Sequence, residues 1–133
     1  MGREVPVSAA KQEARRGRDN AQVAYDEDLA NRIRELVRSE QGVTEKRMFG
    51  GLAFLIDGHM SVSASGRGGL LLRVDRAETD AMLSKPHAHP FEMRGRVMQG
   101  WLRVDAEGLR TKRQLERWVA RGIAYARSLP SKP

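Results

Sequence analysis

The spacing of apolar positions predicts a helix that opens the regular part of the chain. In the stretch 25–43, YDEDLANRIRELVRSEQGV, the apolar side chains recur at helical spacing. These side chains are Leu29, Ile33, Leu36 and Val37. Asp26 fits the N-cap position, and two acidic residues follow it in the positively polarised first turn. Gly42 is predicted to end the helix.

A change to strand-like composition after this helix predicts a three-strand meander. LAFLI at 52–56 and HMSVSA at 59–64 flank Asp57-Gly58, a strong hairpin signal. The turn SGRGG then leads into LLLRV at 70–74, which is apolar enough to be buried. Gly50 and Gly51 stand where the segment following the helix enters the first strand. A missing Cβ there permits positive φ or close approach of a neighbouring backbone.

The remaining pattern predicts a short helix, two more strands and a closing helix. Asp75 and Glu78 have capping-box spacing, and Pro86 stops the short helix. Two extended stretches follow around a turn at Arg94 to Arg96. The stretch 109–130 then shows a helical period with an apolar side: Leu115, Trp118, Val119, Gly122, Tyr125, Ala126 and Leu129. The opposite arc carries four arginines: Arg110, Arg113, Arg117 and Arg121.

Together these elements predict an α+β fold, in which an antiparallel β-meander sheet is flanked by N-terminal, middle and C-terminal helices. A single domain is expected over residues 25–129. Residues 1–24 offer hardly an apolar side chain to bury and are predicted to be a flexible leader, and residues 130–133 a tail. The predicted core is Leu29, Ile33, Leu36, Phe54, Leu72, Val74, Phe91, Trp101 and Trp118.

Composition narrows the functional classes. A chain of 133 residues can bury an adequate core without cross-links. The absence of cysteine excludes disulfides, thiolate metal ligands and cysteine nucleophiles, and is compatible with the cytoplasmic location that we expect. No apolar run approaches the roughly twenty residues that a membrane helix needs, so no membrane association is expected.

The net charge of +7 is concentrated near one end of the chain. Residues 1–93 hold 14 basic and 14 acidic side chains, whereas residues 94–133 hold 10 basic and 3 acidic ones. This asymmetry suggests an acidic partner, nucleic acid included. The four arginines of the closing helix are therefore the candidate interaction surface, able to follow phosphates or pair with carboxylates. The solvated outer face of an amphipathic helix is the competing interpretation.

No catalytic, cofactor or metal constellation emerges from the residues. His87 and His89 share one loop, but zinc needs at least a third protein ligand and no cysteine is present. The turn SGRGG lacks the lysine and the following helix of a phosphate loop, and no serine stands in a nucleophile elbow. We therefore expect no metal, no cofactor and no enzymatic activity.

The order of several short motifs resembles a known family. These motifs are RMFGG at 47–51, FLIDGHMSVSA at 54–64, LLLRVD at 70–75, HPF at 89–91 and GWLRVD at 100–105, followed by a closing helix with Trp118. Over about residues 25–127 the chain is similar to the N-terminal domain of the TfoX/Sxy family. The residues that carry this family pattern are Met48, Phe49, Gly50, Gly51, Gly58 and Trp118.

The resemblance implies a compact α+β domain from regulators of bacterial competence genes, which act with the transcription machinery and have no known catalytic chemistry. Full-length regulators of this family carry a further C-terminal helical domain, so a stand-alone module is expected here. The favoured function is thus a non-enzymatic regulatory, protein-interaction module with a transcription-related partner. The alternative is direct binding of nucleic-acid backbone by the basic closing helix, and an unrecognised enzyme ranks last.

Two further questions stay open at the level of sequence. The MFGG stretch is interpreted mainly as a backbone requirement for the sheet, with a partner-binding edge at Met48 and Phe49 as the other interpretation. An exposed hairpin edge offers a route to a homodimer, because unpaired strand edges can pair with a second copy.

Overall fold

Six antiparallel strands and three α-helices follow one another in the computed structural model, which describes residues 25–48 and 50–130. The elements are α1 (Glu27–Val37), β1 (Val43–Met48), β2 (Gly51–Ile56), β3 (His59–Ala64), β4 (Leu70–Arg73), α2 (Thr79–Leu83), β5 (Ala88–Met93), β6 (Arg96–Val104) and α3 (Lys112–Ser128). The strands form one sheet in the order β1-β2-β3-β4-β6-β5. The predicted α+β class and its three flanking helices are confirmed.

Helix α1 begins as predicted but ends earlier. The Asp26 side chain accepts a hydrogen bond from the Leu29 N–H at 3.1 Å, which satisfies one of the free donors of the first turn. The helix ends at Val37, so the prediction that Gly42 ends it was wrong. Gly42 instead has a φ of +77°, and its carbonyl accepts the Asp57 N–H at 3.0 Å where the chain enters β1.

Strand β1 was not predicted, and the meander has four strands instead of three. Its residues are mostly exposed, so the strand lacks the apolar alternation that marks a buried edge. Arg34 of α1 donates two hydrogen bonds to the Glu45 carboxylate at 2.6 and 2.9 Å. The bond from Arg34 is the main cause that lowers the pKa of Glu45. This ion pair joins the strand to α1.

The double glycine lies between β1 and β2, and not where a segment that follows the helix enters the sheet. Each of the two glycines is required for a different reason. Gly50 has a φ of +76°, a left-handed conformation that residues with a Cβ adopt only with strain. A Cβ on Gly51 would collide with the carbonyl oxygen of Ala64 in the neighbouring strand. The backbone interpretation of this motif therefore agrees with the geometry of both residues.

The hairpin between β2 and β3 is confirmed. Asp57 and Gly58 have φ values of 52° and 88°. Two consecutive left-handed residues are what a tight two-residue turn requires, because its twist then matches that of the flanking strands. An extra residue in β3 shifts the register between Phe54 and Leu55.

The middle of the chain leaves the sheet and returns to its far edge. Asp75 accepts the Ala77 N–H at 2.8 Å and caps a 3₁₀ turn that precedes α2, without the reciprocal bond from Glu78 that a capping box would need. The buried hydroxyl of Thr79 accepts the Gly100 N–H at 2.8 Å and ties α2 to β6. β5 and β6 then form a hairpin around the predicted turn.

The two faces of the sheet pack differently. Helices α1 and α3 cover one face, where Phe54, Leu72 and Leu102 lie in the main core. The opposite face has a second cluster: Ala53, Met60, Leu71 and Phe91 are buried, with Met48, Leu55, Met93, Met98 and Trp101 packed against them. Among residues 25–48 and 50–130, every member of this second cluster belongs to a strand.

The prediction of a single core was therefore wrong for Phe91 and Trp101, which lie on the second face. Successive residues of a strand point to opposite faces, and a list of apolar residues does not say which face each one reaches. Leu36 and Trp118 pack on the main core but are only half-buried.

Helix α3 lies very close to the sheet. It begins after Thr111, whose side chain accepts the Gln114 N–H at 3.0 Å, while the Gln114 side chain accepts the Thr111 N–H at 2.9 Å. At Gly122 a Cβ would lie 2.7 Å from the Ser61 carbonyl oxygen and 2.8 Å from Val62 Cγ1. Only glycine allows the helix to approach the sheet this closely.

The double glycine provides a test of the packing. We expect Gly51→Ala to lower the free energy of unfolding by about 3 kcal/mol, because its methyl group meets backbone that cannot move aside. Gly50→Ala introduces only backbone strain, since nothing lies closer than 4.0 Å to its Cβ, and should lower that free energy by about 1 kcal/mol. Urea denaturation of both variants measures the difference. Equal decreases in the free energy of unfolding of the two variants would contradict the close approach at Gly51.

Candidate functional site

The structure keeps three of the four arginines of the predicted surface on one helix. Arg113, Arg117 and Arg121 lie on α3 and are exposed. Arg110 precedes α3, because Thr111 caps the helix, and it forms an exposed ion pair with Glu107 at 3.2 Å. The prediction that Arg110 continues the helical row was therefore wrong.

The three remaining guanidinium groups have no close carboxylate in the described part of the chain. Within residues 25–48 and 50–130, carboxylates within 4.0 Å are found for Arg34, Arg38, Arg110 and Arg127, but not for any of these three. Positive charges without local partners attract anions from solution more strongly than paired ones do. This part of α3 is a candidate anion-binding surface.

Two of these arginines line a groove with a second element. The groove has a volume of about 250 Å³, and its α3 wall is formed by Arg117, Trp118 and Arg121. The opposite wall comes from the loop between α2 and β5, with Lys85, Pro86 and His87; Gly108 and Gln114 complete the lining. The sequence analysis missed Lys85, because no pattern in the sequence indicates that this loop packs beside α3.

His87 and His89 are held by one carboxylate. Asp105 Oδ1 lies 3.1 Å from His87 Nδ1, and its Oδ2 lies 2.7 Å from His89 Nε2. Asp105 also accepts the Gly108 N–H at 3.1 Å. The hydrogen bond from His89 is the main cause that lowers the pKa of Asp105; partial desolvation opposes it, and the Gly108 N–H adds to it.

This arrangement gives the two histidines a structural role. His87 has a φ of 73°, and a Cβ on Gly108 would lie 2.5 Å from the His87 Cβ, so the loop packs tightly against the segment that precedes α3. In the described ranges no group of three or more His, Cys, Asp or Glu side chains is arranged to hold a metal ion.

The family-pattern residues fall in different places. Gly50, Gly51 and Gly58 have the backbone roles described above, and Phe49 lies outside the described residues. Met48 is half-buried at the end of β1 and packs on the second cluster, on the opposite side of the sheet from Trp118. These residues therefore do not form one site.

The second face of the sheet is a separate candidate surface. Four of the six methionines lie in its apolar cluster. The strand register places Lys46 beside Ala53 and Arg103 beside Leu71 on this face. Arg73 pairs with Trp101, but its guanidinium also lies 5.5 Å from the centre of the Tyr125 ring of α3.

Arg67 and two serines lie beside part of this surface. The Arg67 guanidinium lies 5.9 Å from the centre of the Phe91 ring, within the range of a cation–π contact. Arg67 and Phe91 also line a cavity of about 150 Å³, together with Met48, Ser63, Ser65, Leu71 and Met93. The second face thus combines flexible apolar side chains with positive charge.

Comparison with known proteins gives a family match. The sequence profile described as TfoX N-terminal domain matches residues 35–126. Neither the curated proteins nor the solved structures include a significant match. None of the helices in the described part of the chain has both the length and the apolar character needed to cross a membrane.

The Asp105 cluster generates a prediction about titration. In the folded protein the carboxyl group should titrate below the ordinary Asp range, and His89→Ala should raise its pKa by removing the closest donor. A lowered pKa adds stability above the ordinary Asp pKa, and this contribution disappears as the pH falls through the folded value. Carboxyl-detected NMR titration measures the shift.

The control for this titration is His59→Ala, since the His59 ring contacts the Pro130 carbonyl and not Asp105. An Asp105 pKa that does not change in His89→Ala would contradict the assigned hydrogen bond.

Proposed function

Because the chain belongs to the TfoX N-terminal domain family over residues 35–126, we propose that it is a non-enzymatic regulatory module that binds a protein partner of the transcription machinery in the cytoplasm. The family includes competence-type regulators, and we propose that this chain shares their protein-binding role. The observation that supports this proposal is the second face of the sheet, whose apolar cluster consists of strand residues alone in the described part of the chain.

The chemistry of that face indicates what kind of partner would fit. Methionine side chains are flexible and polarisable, and they adapt to apolar surfaces of different shape. The charged side chains that the strand register places beside the buried cluster are both basic: Lys46 and Arg103. By charge complementarity, the partner presents apolar side chains flanked by carboxylates.

The face is a better candidate than either edge of the sheet. The middle of edge strand β1 carries Glu45, Lys46 and Arg47, and β5 contains Pro90, which has no N–H to donate. Charged residues and proline are the usual means by which natural sheets discourage strand addition. We therefore propose contact through the face and not through the β1 or β5 edge, which also disfavours a homodimer built by edge pairing.

The experiment compares substitutions on the two sides of the sheet. We expect Met93→Glu combined with Met98→Glu to weaken binding to the partner about tenfold or more, because it adds repulsion to an acidic surface and removes apolar contact. Biolayer interferometry against purified bacterial RNA polymerase subunits and transcription factors measures this. Circular dichroism checks that the variant is folded.

Ala120→Glu combined with Ala124→Glu is the matched control, since it adds the same two negative charges to the exposed side of α3. Absence of binding to all of these purified proteins, or equal losses in the double variant and the control, would contradict the proposal.

Binding of nucleic-acid backbone is a second candidate function. It is favoured by the exposure of Arg113, Arg117 and Arg121 and by their lack of carboxylate partners in the described ranges. These residues follow one another at i, i+4 and i+8, so they project from the same side of α3. Such contacts would be to phosphates and would carry no sequence specificity.

This candidate predicts a defined salt dependence. If all three arginines contact duplex phosphates, log K should fall with log salt with a slope of about −2.7. Fluorescence anisotropy with labelled duplex DNA and RNA measures the slope. The variant with Gln at 113, 117 and 121 should lose the affinity and most of the slope. Unchanged affinity in this variant would exclude α3 as the phosphate-binding surface.

A further inference from the structure

We infer that the groove between α3 and the α2–β5 loop binds a small phosphate ester. Among the described residues, its lining includes three basic side chains, Lys85, Arg117 and Arg121, and no carboxylate. Arg117 and Arg121 are one helical turn apart, and Lys85 stands on the other wall. Cations that converge from two walls suit a compact dianion, and guanidinium groups suit phosphate oxygens in particular.

The groove also has an apolar part. Trp118 and Pro86 contribute to its lining beside the cations. A bare inorganic anion would leave these two side chains without a partner, whereas a phosphate ester brings an organic group to cover them. The volume of about 250 Å³ lies slightly below the usual range for drug-sized ligands, so the ligand is of mononucleotide size or smaller.

The loop wall is fixed by contacts within the protein. His87 is held in its left-handed conformation by Asp105, through the side-chain contact at 3.1 Å and through the Asp105 N–H, which donates to the His87 carbonyl at 3.1 Å. On the helix side, Arg32 of α1 donates to the Leu109 carbonyl at 2.6 Å, just before α3. Walls that are already ordered lower the entropic cost of binding.

Only some of the exposed arginines of α3 line the groove. Arg113 lies on the same helix but does not line the groove, whereas Arg117 and Arg121 do. Arg121 also borders a neighbouring cavity of about 300 Å³ that contains Asp75 and Glu78. These carboxylates repel an anion, so the phosphate should lie toward Lys85 and Arg117. Binding of a small ester thus requires different residues from binding of an extended backbone.

The protein offers a direct reporter for this site. It has two tryptophans, and Trp101 lies in the cluster on the opposite face of the sheet. In the full chain carrying Trp101→Phe, Trp118 is the single tryptophan. Its fluorescence should change saturably with ribose 5-phosphate and with AMP, at a dissociation constant of about 1 mM or lower. Ribose and adenosine, which lack the phosphate, should have little effect.

The two esters distinguish the source of the phosphate: tighter binding of AMP indicates a nucleotide, and equal binding indicates a sugar phosphate. Titration calorimetry at constant ionic strength provides a second measurement that does not depend on fluorescence. Because the groove is on the helix side of the sheet, Met93→Glu with Met98→Glu should bind both esters normally. Failure of the protein-binding proposal therefore leaves this test unaffected.

Substitutions distinguish binding of the ester in the groove from general electrostatic attraction to the basic surface of α3. Arg117→Gln and Lys85→Gln should each raise the dissociation constant about tenfold, as expected for loss of a charged hydrogen bond. Arg113→Gln should change it less than about twofold. Equal effects at Arg113 and Arg117, binding of adenosine as tight as that of AMP, or no saturable binding of either ester would each overturn the inference.

Discussion

The close contact between α3 and the sheet at Gly122 is the constraint on which the rest of the structure depends. Any side chain at this position would meet the Ser61 carbonyl and the Val62 and Leu72 side chains. The missing Cβ lets Leu115 and Val119 reach the main core, and Ala126 is buried one turn beyond Gly122. The orientation of α3 is thereby fixed, and with it the positions of its exposed arginines. The groove that Arg117, Trp118 and Arg121 form with the α2–β5 loop follows from a packing requirement on the other side of the helix.

The two faces of the sheet are unlike. α1 and α3 both pack on one face, and the apolar cluster on the other consists of strand residues alone in the described part of the chain. That cluster is rich in methionine and includes a tilted Phe91–Trp101 pair whose ring centres are 6.3 Å apart. Leu71 and Ala53 are nonetheless buried, and longer side chains such as Met93 and Met98 pack against their cluster. Half-buried methionines give this face an adaptable apolar surface, which suits a protein-binding module.

The parts of the fold that depend on local chemistry could be predicted from the sequence. Asp26 and the Asp57-Gly58 turn act through hydrogen bonds and dihedral angles within a few residues, and both behave as predicted. Strand β1 was missed because its extended conformation depends on pairing with β2 and on the ion pair between Arg34 and Glu45. No pattern within VTEKRM indicates either of these contacts. Arg110 was misplaced because helical periodicity extends through the Thr111 cap. The groove depends on which loop lies beside α3, and that is a long-range property of the topology.

The positive charge of the chain illustrates how structure refines an argument from composition. Residues 94–133 carry the whole net charge, yet their basic side chains do not form one patch. Arg127 donates to the Glu40 carboxylate and the Gln41 carbonyl at 2.9 and 2.8 Å, and lies 3.4 Å from the Asp57 carboxylate, so it holds the end of α3 against two turns. Arg110 is paired with Glu107, and Arg103 belongs to the second face of the sheet. What remains on α3 is a short group of arginines, of which only Arg117 and Arg121 converge with Lys85. A convergent group of this size matches a single phosphate better than it matches the long, regular charge of a nucleic-acid backbone, which would require a row that continues along the surface.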